Sequence, residues 1–316
     1  MITNTTLTLA TANLFNFIEP PNAFYDFENI YDTQAWHAKC EWTKKQILEL
    51  DADVIGLQEV FSIEAAEKLV TELGYSHFAT VAIPHIESDY IHSQPVVAVA
   101  SKYPFKHVEP VTSSSLIAQH YSIEPPSFSR PPIFAVIDVP DVGDIAFYVC
   151  HLKSQRPTQS DSEQYSHPII GQWLSTQQRG WEAVMLRLFM ELKYQTHPMP
   201  TVLVGDMNQS LAHHVTGLLT HPVDQSLTAL NLQDSWDIFT LNEPLRARPA
   251  THYHFAQGNV LDYILVSQEF QPNSPHSLAD VKQYQVRDKH LINPNYEQDK
   301  QASDHAFVAV TVQFVL

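Results

Sequence analysis

Asp206 and Asn208 stand two residues apart at the end of a short apolar run, Thr201-Val202-Leu203-Val204-Gly205. In an extended chain, residues two apart face the same side, so a carboxylate and an amide converge there on one small group. Two such hard-oxygen side chains suit a cation and a phosphate ester. Alone, Gly-Asp-x-Asn is equally an ordinary turn whose Asx side chains bond their own backbone. The same design recurs along the chain. Residues 53–59 run apolar into Glu59, residues 145–150 end at His151, Asp262 sits inside the apolar segment 261–265, and Ser303-Asp304-His305 precedes a final apolar run. Each taken singly has a plain structural reading as a cap, a turn or a solvated strand end. Together, acids, amides and imidazoles at the ends of several buried runs point to one polar site.

The elements that must position these residues follow from periodicity. Alternation or unbroken apolar runs predict strands over 7–13, 53–59, 96–100, 133–139, 145–150, 201–204, 260–266 and 306–314. Helical spacing predicts helices over 36–50, 62–73 and 181–194, with Gly74 as a stop. Residues 155–173 read as a long irregular segment. The four residues 201–204 carry no polar interruption, which suits a strand covered on both faces, and Gly205 permits a sharp change of direction. The order is mixed α and β, with the polar residues at strand ends.

The chain has 316 residues, 44% of them hydrophobic, which is material for a well-buried core. With no Gly/Ser linker, repeat or low-complexity tract, one domain over 1–316 is expected. Eighteen basic residues against 35 acidic ones give a formal charge of −17. Such a surface is a poor platform for holding duplex DNA nonspecifically, whereas a bound divalent cation would reverse the field locally. Cys40 and Cys150 are too few for a disulfide framework and read as free thiols. Residues 1–12 carry no charged, apolar leader, so the reading is cytoplasmic, without a membrane anchor.

Six segments in this order resemble the endonuclease/exonuclease/phosphatase family: Thr11-Ala12-Asn13-Leu14-Phe15, Leu57-Gln58-Glu59-Val60, His151-Leu152-Lys153-Ser154, Gly205-Asp206-Met207-Asn208, Leu261-Asp262-Tyr263-Ile264-Leu265 and Ser303-Asp304-His305. The resemblance covers nearly the full length. It implies a DNase-I-like α/β fold, a four-layer α/β/β/α sandwich of two packed mixed β-sheets with the site at one end. It also implies a metal-dependent hydrolysis of a phosphodiester or phosphomonoester by in-line water attack, with Mg²⁺ as cofactor and Mn²⁺ as the alternative. Glu59 is then the leading metal ligand, with Asn13 and Asp304 contributing directly or through water. Asp206 orients and deprotonates the attacking water, and Asn208 steadies the phosphate or that water. His305 donates to a phosphoryl oxygen with Asp262 on its other ring nitrogen, while His151 binds phosphate or protonates the leaving group. Arg130, in Ser129-Arg130-Pro131-Pro132, resembles a family arginine near the scissile phosphate.

Departures narrow the branch. Phe15 stands where abasic-site endonucleases carry an acid, and His151 where they carry a tyrosine. The two cysteines do not match the disulfide of secreted DNases. The expected partner is a small phosphate ester or a short nucleic acid, read by loops over 76–93, 116–129 and 155–172. Two other readings remain at the level of sequence. One is an inactive binding protein on the same scaffold; the other is a transition-metal hydrolase using His252 and His254, whose imidazoles share one face of a strand.

Overall fold

The computed structural model describes residues 4–160, 167–222, 229–243 and 245–315. Two six-stranded sheets dominate it. The first runs, edge to edge, through Ala279–Arg287, Phe307–Val315, Asn4–Phe17, Val54–Val60, Val96–Ser101 and His77–Ala79. The second runs through Gln233–Asp234, Asp262–Val266, Thr201–Asp206, Gly143–His151, Ile133–Val139 and Phe105–Pro110. Each is mixed: Asn4–Phe17 pairs parallel with Val54–Val60, and Gly143–His151 parallel with Thr201–Asp206, while their other neighbours are antiparallel.

Alternation assigns the faces. Val202 and Val204 join Leu9, Val54, Val99, Val149 and Val310 in the core between the sheets. Leu203 points the other way, into a cluster with Tyr148, Leu186 and Met190 under the helix Pro168–Thr196. On the far side, Ala10, Ile55, Leu57 and Ala98 pack beneath the helices Thr33–Leu50 and Ile63–Glu72. Helix, sheet, sheet and helix thus form four layers, each sheet buried on both faces. At the centre Gly56 lets the sheets meet closely: a Cβ there would stand 2.6 Å from Val204 Cγ2.

The strands and helices expected from periodicity are present, most with ends shifted by one to a few residues. The largest difference is the helix Pro168–Thr196, which begins thirteen residues before the expected 181 and takes the end of the segment read as irregular. Its first turns hold Pro168 at the start, where no N–H is needed, and expose Ile169, Ile170 and Trp173, so no amphipathic stripe marks them. The segment 76–93 contains strands His77–Ala79 and His85–Ser88, and 116–129 begins inside the helix Ser115–Tyr121. Part of 155–172, residues 161–166, lies outside the described residues. Cys40 and Cys150 are free. Among the described residues no helix is long and apolar enough to cross a membrane.

Candidate active site

In the second sheet His151 is in register with Asp206, and Asp206 with Asp262, so three neighbouring strands deliver three polar side chains to one end. Gly205 takes φ +148°, and a Cβ on it would fall 1.9 Å from the Cys150 carbonyl oxygen, so only glycine fits before the aspartate. Asp206 is 1% exposed. Its Oδ1 accepts from the Asn208 backbone N–H at 2.7 Å. Its Oδ2 accepts from Asn13 Nδ2 at 3.1 Å and stands 3.5 Å from His151 Nε2 and 3.7 Å from His305 Nε2. Asn208 adopts a left-handed backbone, φ +55°, and its Nδ2 donates to the Leu152 carbonyl at 2.8 Å.

The first sheet supplies the facing wall. Asn13 Oδ1 accepts from Phe15 N–H at 3.0 Å, which turns its amide nitrogen between Asp206 Oδ2 and Glu59 Oε1, the latter at 3.4 Å. Glu59 Oε2 accepts from Asn16 N–H at 2.8 Å. The pairing register shifts on both sides of Glu59, and Glu59, Phe15 and Asn16 all take positive φ near +55°. A bulge of this kind re-aims a side chain, and left-handed Glu and Phe concentrate strain at one place.

The last strand closes the cluster. Ser303 Oγ donates to the Asn13 carbonyl at 2.7 Å and accepts from His305 N–H at 3.0 Å, tying the two chain ends together. His305 Nδ1 meets Asp262 Oδ2 at 2.8 Å. Thr251 Oγ1 accepts from the N–H groups of Leu261 and Asp262, which lays His252 against His305 with ring centroids 4.9 Å apart.

The charges are arranged unevenly. Burial pulls the His305 pKa down, but Asp262, Asp206 and Asp304 outweigh it and hold the ring well above the usual imidazole range. Burial drives His151 well below that range, with Arg130 and His305 pushing the same way. Asp206 is pushed up by burial and by Asp262 and Glu59, against the pull of His305. His151 and Asp206 are close enough to be an ion pair, yet both shift away from charge. The reading that reconciles them puts the positive charge on His305 and leaves His151 a neutral ring against the carboxyl. Asp304 is pushed up to about 6, first by burial, then by Glu59.

Arg130 flanks this cluster: its charge acts on His151 and Tyr25, and its Nε and Nη1 are buried with no hydrogen-bond partner. Its loop is held from behind by residues that the sequence did not single out. Glu182, 1% exposed in the middle of Pro168–Thr196, accepts from Ser129 N–H at 2.8 Å and from Lys153 N–H at 2.6 Å. Arg179, one turn earlier, donates to the Lys153 and Ser154 carbonyls at 3.0 and 3.2 Å and to Gln209 Oε1 at 3.3 Å. One helix thereby fixes the segments that carry Arg130, His151 and Asn208. Lys39 is a second unexpected neighbour. It is buried over the Phe15 and Tyr31 rings, and burial lowers its pKa to about 8 against the pull of Glu59 and Asp304. Charged residues in helices ordinarily read as solvated faces, so Glu182, Arg179 and Lys39 had no sequence signal.

Of the site residues expected from sequence, Asn13, His151 and His305 therefore converge on Asp206 Oδ2 from both sheets. Asn208 N–H holds Oδ1, Asp262 backs His305, Glu59 shares the Asn13 amide, Asp304 lies beside His252, and Arg130 flanks His151. Two sets of three residues bring potential metal-ligand atoms within 4.8 Å of one another: Asp206, Asp262 and His305, and His252, Asp304 and His305. Among the described residues Glu59 belongs to neither such group, and neither does His254, so His252 and His254 do not form a paired chelate. His254 is exposed against Phe255.

The sequence profile of the Endonuclease/Exonuclease/phosphatase family matches residues 40–305. The chain belongs to that family. Among solved structures it is similar to the human Nocturnin catalytic domain with bound sulfate anion, at 15% identity and TM-score 0.63 over 99% of this chain and 98% of that one. It is similar also to ANGEL2, described as a 2′,3′-cyclic phosphatase, at 14% identity and TM-score 0.58 over 99% and 96%. D. rerio TDP2 complexed with single strand DNA product matches at 12% identity and TM-score 0.58 over 98% and 99%. At such identities these likenesses show the fold, which is that of the DNase-I-like endonuclease/exonuclease/phosphatase proteins. No curated protein sequence matches significantly. Members of the family are hydrolases acting on phosphoester bonds.

Proposed function

We propose that this chain is a divalent-cation-dependent phosphoesterase that cleaves a small phosphodiester or phosphomonoester, or a short nucleic acid, by in-line attack of water. The observation that carries the reading is the buried Asp206, with one carboxylate oxygen fixed by Asn208 N–H and the other turned toward His305, itself backed by Asp262 at 2.8 Å.

The residues fit a hard cation. Oxygen donors crowd one another, since Glu59 and Asp262 both raise Asp206 and Asp304, and Asp304 Oδ1 is buried without a partner. Mg²⁺ keeps several waters and takes one or two carboxylates, a demand that Glu59 and Asp304 meet. Asn13, with its oxygen on Phe15, holds the Glu59 and Asp206 carboxylates in place. When bound, the cation neutralises phosphoryl oxygens as negative charge develops.

The remaining work belongs to the side chains. Asp206 Oδ2 accepts the proton of the attacking water, and its raised pKa makes it the stronger base. His305, kept protonated by its acidic neighbours, donates to a phosphoryl oxygen. Arg130 brings two unpaired N–H groups to the phosphate. Neutral His151 orients the leaving oxygen, and Asn208 holds the Asp206 turn and the Leu152 carbonyl. Hydrolysis of bis-p-nitrophenyl phosphate with Mg²⁺ tests the proposal. Asp206→Ala and His305→Ala are each expected to lower kcat about 10²–10⁴-fold, the range of a lost acid or base. Absence of any metal-dependent turnover across phosphate esters would overturn it.

A further inference from the structure

His252 does no work in the hydrolysis proposed above, yet it is built into the same wall. It forms an isolated backbone bridge with His305, and its Nε2 lies 4.0 Å from Asp304 Oδ2. His252 Nδ1 and Asp304 Oδ1 are both buried with no hydrogen-bond partner. With His305 they bring three ligand atoms within 4.8 Å. Two imidazoles and one carboxylate differ in kind from the all-oxygen pair of Glu59 and Asp304. Imidazole nitrogen suits Zn²⁺ and its neighbours in the first transition row, whereas Mg²⁺ prefers oxygen and water. Around Zn²⁺, ligands at about 2.0–2.2 Å in a tetrahedron stand roughly 3.3 Å apart, so these three groups have little distance to close.

We propose that His252, Asp304 and His305 form a second cation site, selective for a borderline metal such as Zn²⁺, whose occupation inhibits the enzyme. The binding half rests on the ligand set alone. The inhibitory half rests on the phosphoesterase reading: Asp262 takes His305 Nδ1, so a metal would occupy Nε2, the nitrogen beside Asp206 that the hydrolysis turns to the phosphoryl oxygen. Asp304 would be shared with the hard cation, so the two ions compete for one carboxylate.

The test is calorimetric titration of Zn²⁺ into the whole protein in excess Mg²⁺, with Co²⁺ absorption in the visible as a second readout of nitrogen ligation. Wild type is expected to show a site that His252→Gln weakens by at least the roughly 10–100-fold that loss of even an outer-shell partner causes. His254→Gln, the exposed control, is expected to bind as wild type does. Turnover with Mg²⁺ is expected to survive in His252→Gln and to need correspondingly more Zn²⁺ for inhibition. Unchanged Zn²⁺ affinity and an unchanged Co²⁺ spectrum in His252→Gln would overturn the site; Zn²⁺ bound there without inhibition would overturn the regulatory role. Failure of all Mg²⁺ turnover would count against the phosphoesterase reading, while the calorimetry still judges the site.

Discussion

Asp304 carries a charge that folding disfavours. Burial, then Glu59 and Asp262, lift its pKa from 3.8 to about 6 despite the pull of His305. A carboxyl raised on folding is tolerated best when protonated, so its cost is absent below about pH 4 and complete above about pH 6. His305 runs the other way: its contribution is full below the unfolded imidazole range and is lost as pH rises through its elevated folded value. Asp304→Asn, in protein freed of metal by EDTA, is therefore expected to raise Tm at about pH 8 by only about 1–2 °C, since 1 kcal/mol moves a chain of 316 residues by roughly 1.5 °C and solvent screens the half-exposed carboxyl. At about pH 4 the same substitution is expected to leave Tm unchanged. Differential scanning fluorimetry at the two pH values decides; equal shifts at both would point to packing rather than charge. The extra Tm gained on adding Mg²⁺ is expected to shrink in this variant, because the carboxylate that destabilises the free protein is the one offered to the cation.

At the scale of elements, the site is the place where strand ends of two sheets meet and one helix steadies the loops. Glu182 is the pivot, taking N–H groups from the Arg130 and Lys153 segments on its two oxygens. Glutamine has one acceptor oxygen, so Glu182→Gln leaves one of those N–H groups buried and unpaired, a loss of about 1–3 kcal/mol. The released loop displaces Arg130 or His151, and a misplacement of about 1 Å costs on the order of 10²-fold in rate. A fall in kcat far larger than the modest drop in Tm is the expected pattern for Glu182→Gln. An activity loss that merely tracks unfolding would remove the positioning role. This clamp was not legible in the sequence, because mid-helix Arg179 and Glu182 look like an ordinary solvated face until the loops they hold are seen. The strand ends were legible for the opposite reason: a strand covered on both faces must be apolar until it stops, so Asp206 and Glu59 stood out. Asp262, wholly buried inside its run, was visible as a violation of that rule. The position of His252 beside His305 depends on a bridge across fifty-odd residues, which no local pattern encodes.

Across the whole molecule, the charge of −17 sets what can approach the site. Cationic groups at the site, Arg130, Lys153, Lys39 and the His305 ring, are few against the surrounding field, and Lys153 and Lys39 are both pushed toward neutrality, first by burial. A basic nuclease loses affinity for its polyanion as salt rises, because the phosphates are held by cations that salt replaces. Here the long-range term is repulsive, and screening weakens it: the Debye length falls from about 30 Å at 0.01 M to about 8 Å at 0.15 M ionic strength. The kcat/KM for a single-stranded oligonucleotide is thus expected to rise between those two salt concentrations at fixed Mg²⁺. The value for a singly charged diester such as bis-p-nitrophenyl phosphate is expected to change by less than about twofold, since one charge feels little of the field once close contacts form. Steady-state rates for both substrates across the salt range provide the comparison. An oligonucleotide rate that falls with salt would reveal a local basic track strong enough to overcome the acidic surface, and would move the substrate assignment from small esters to nucleic acid.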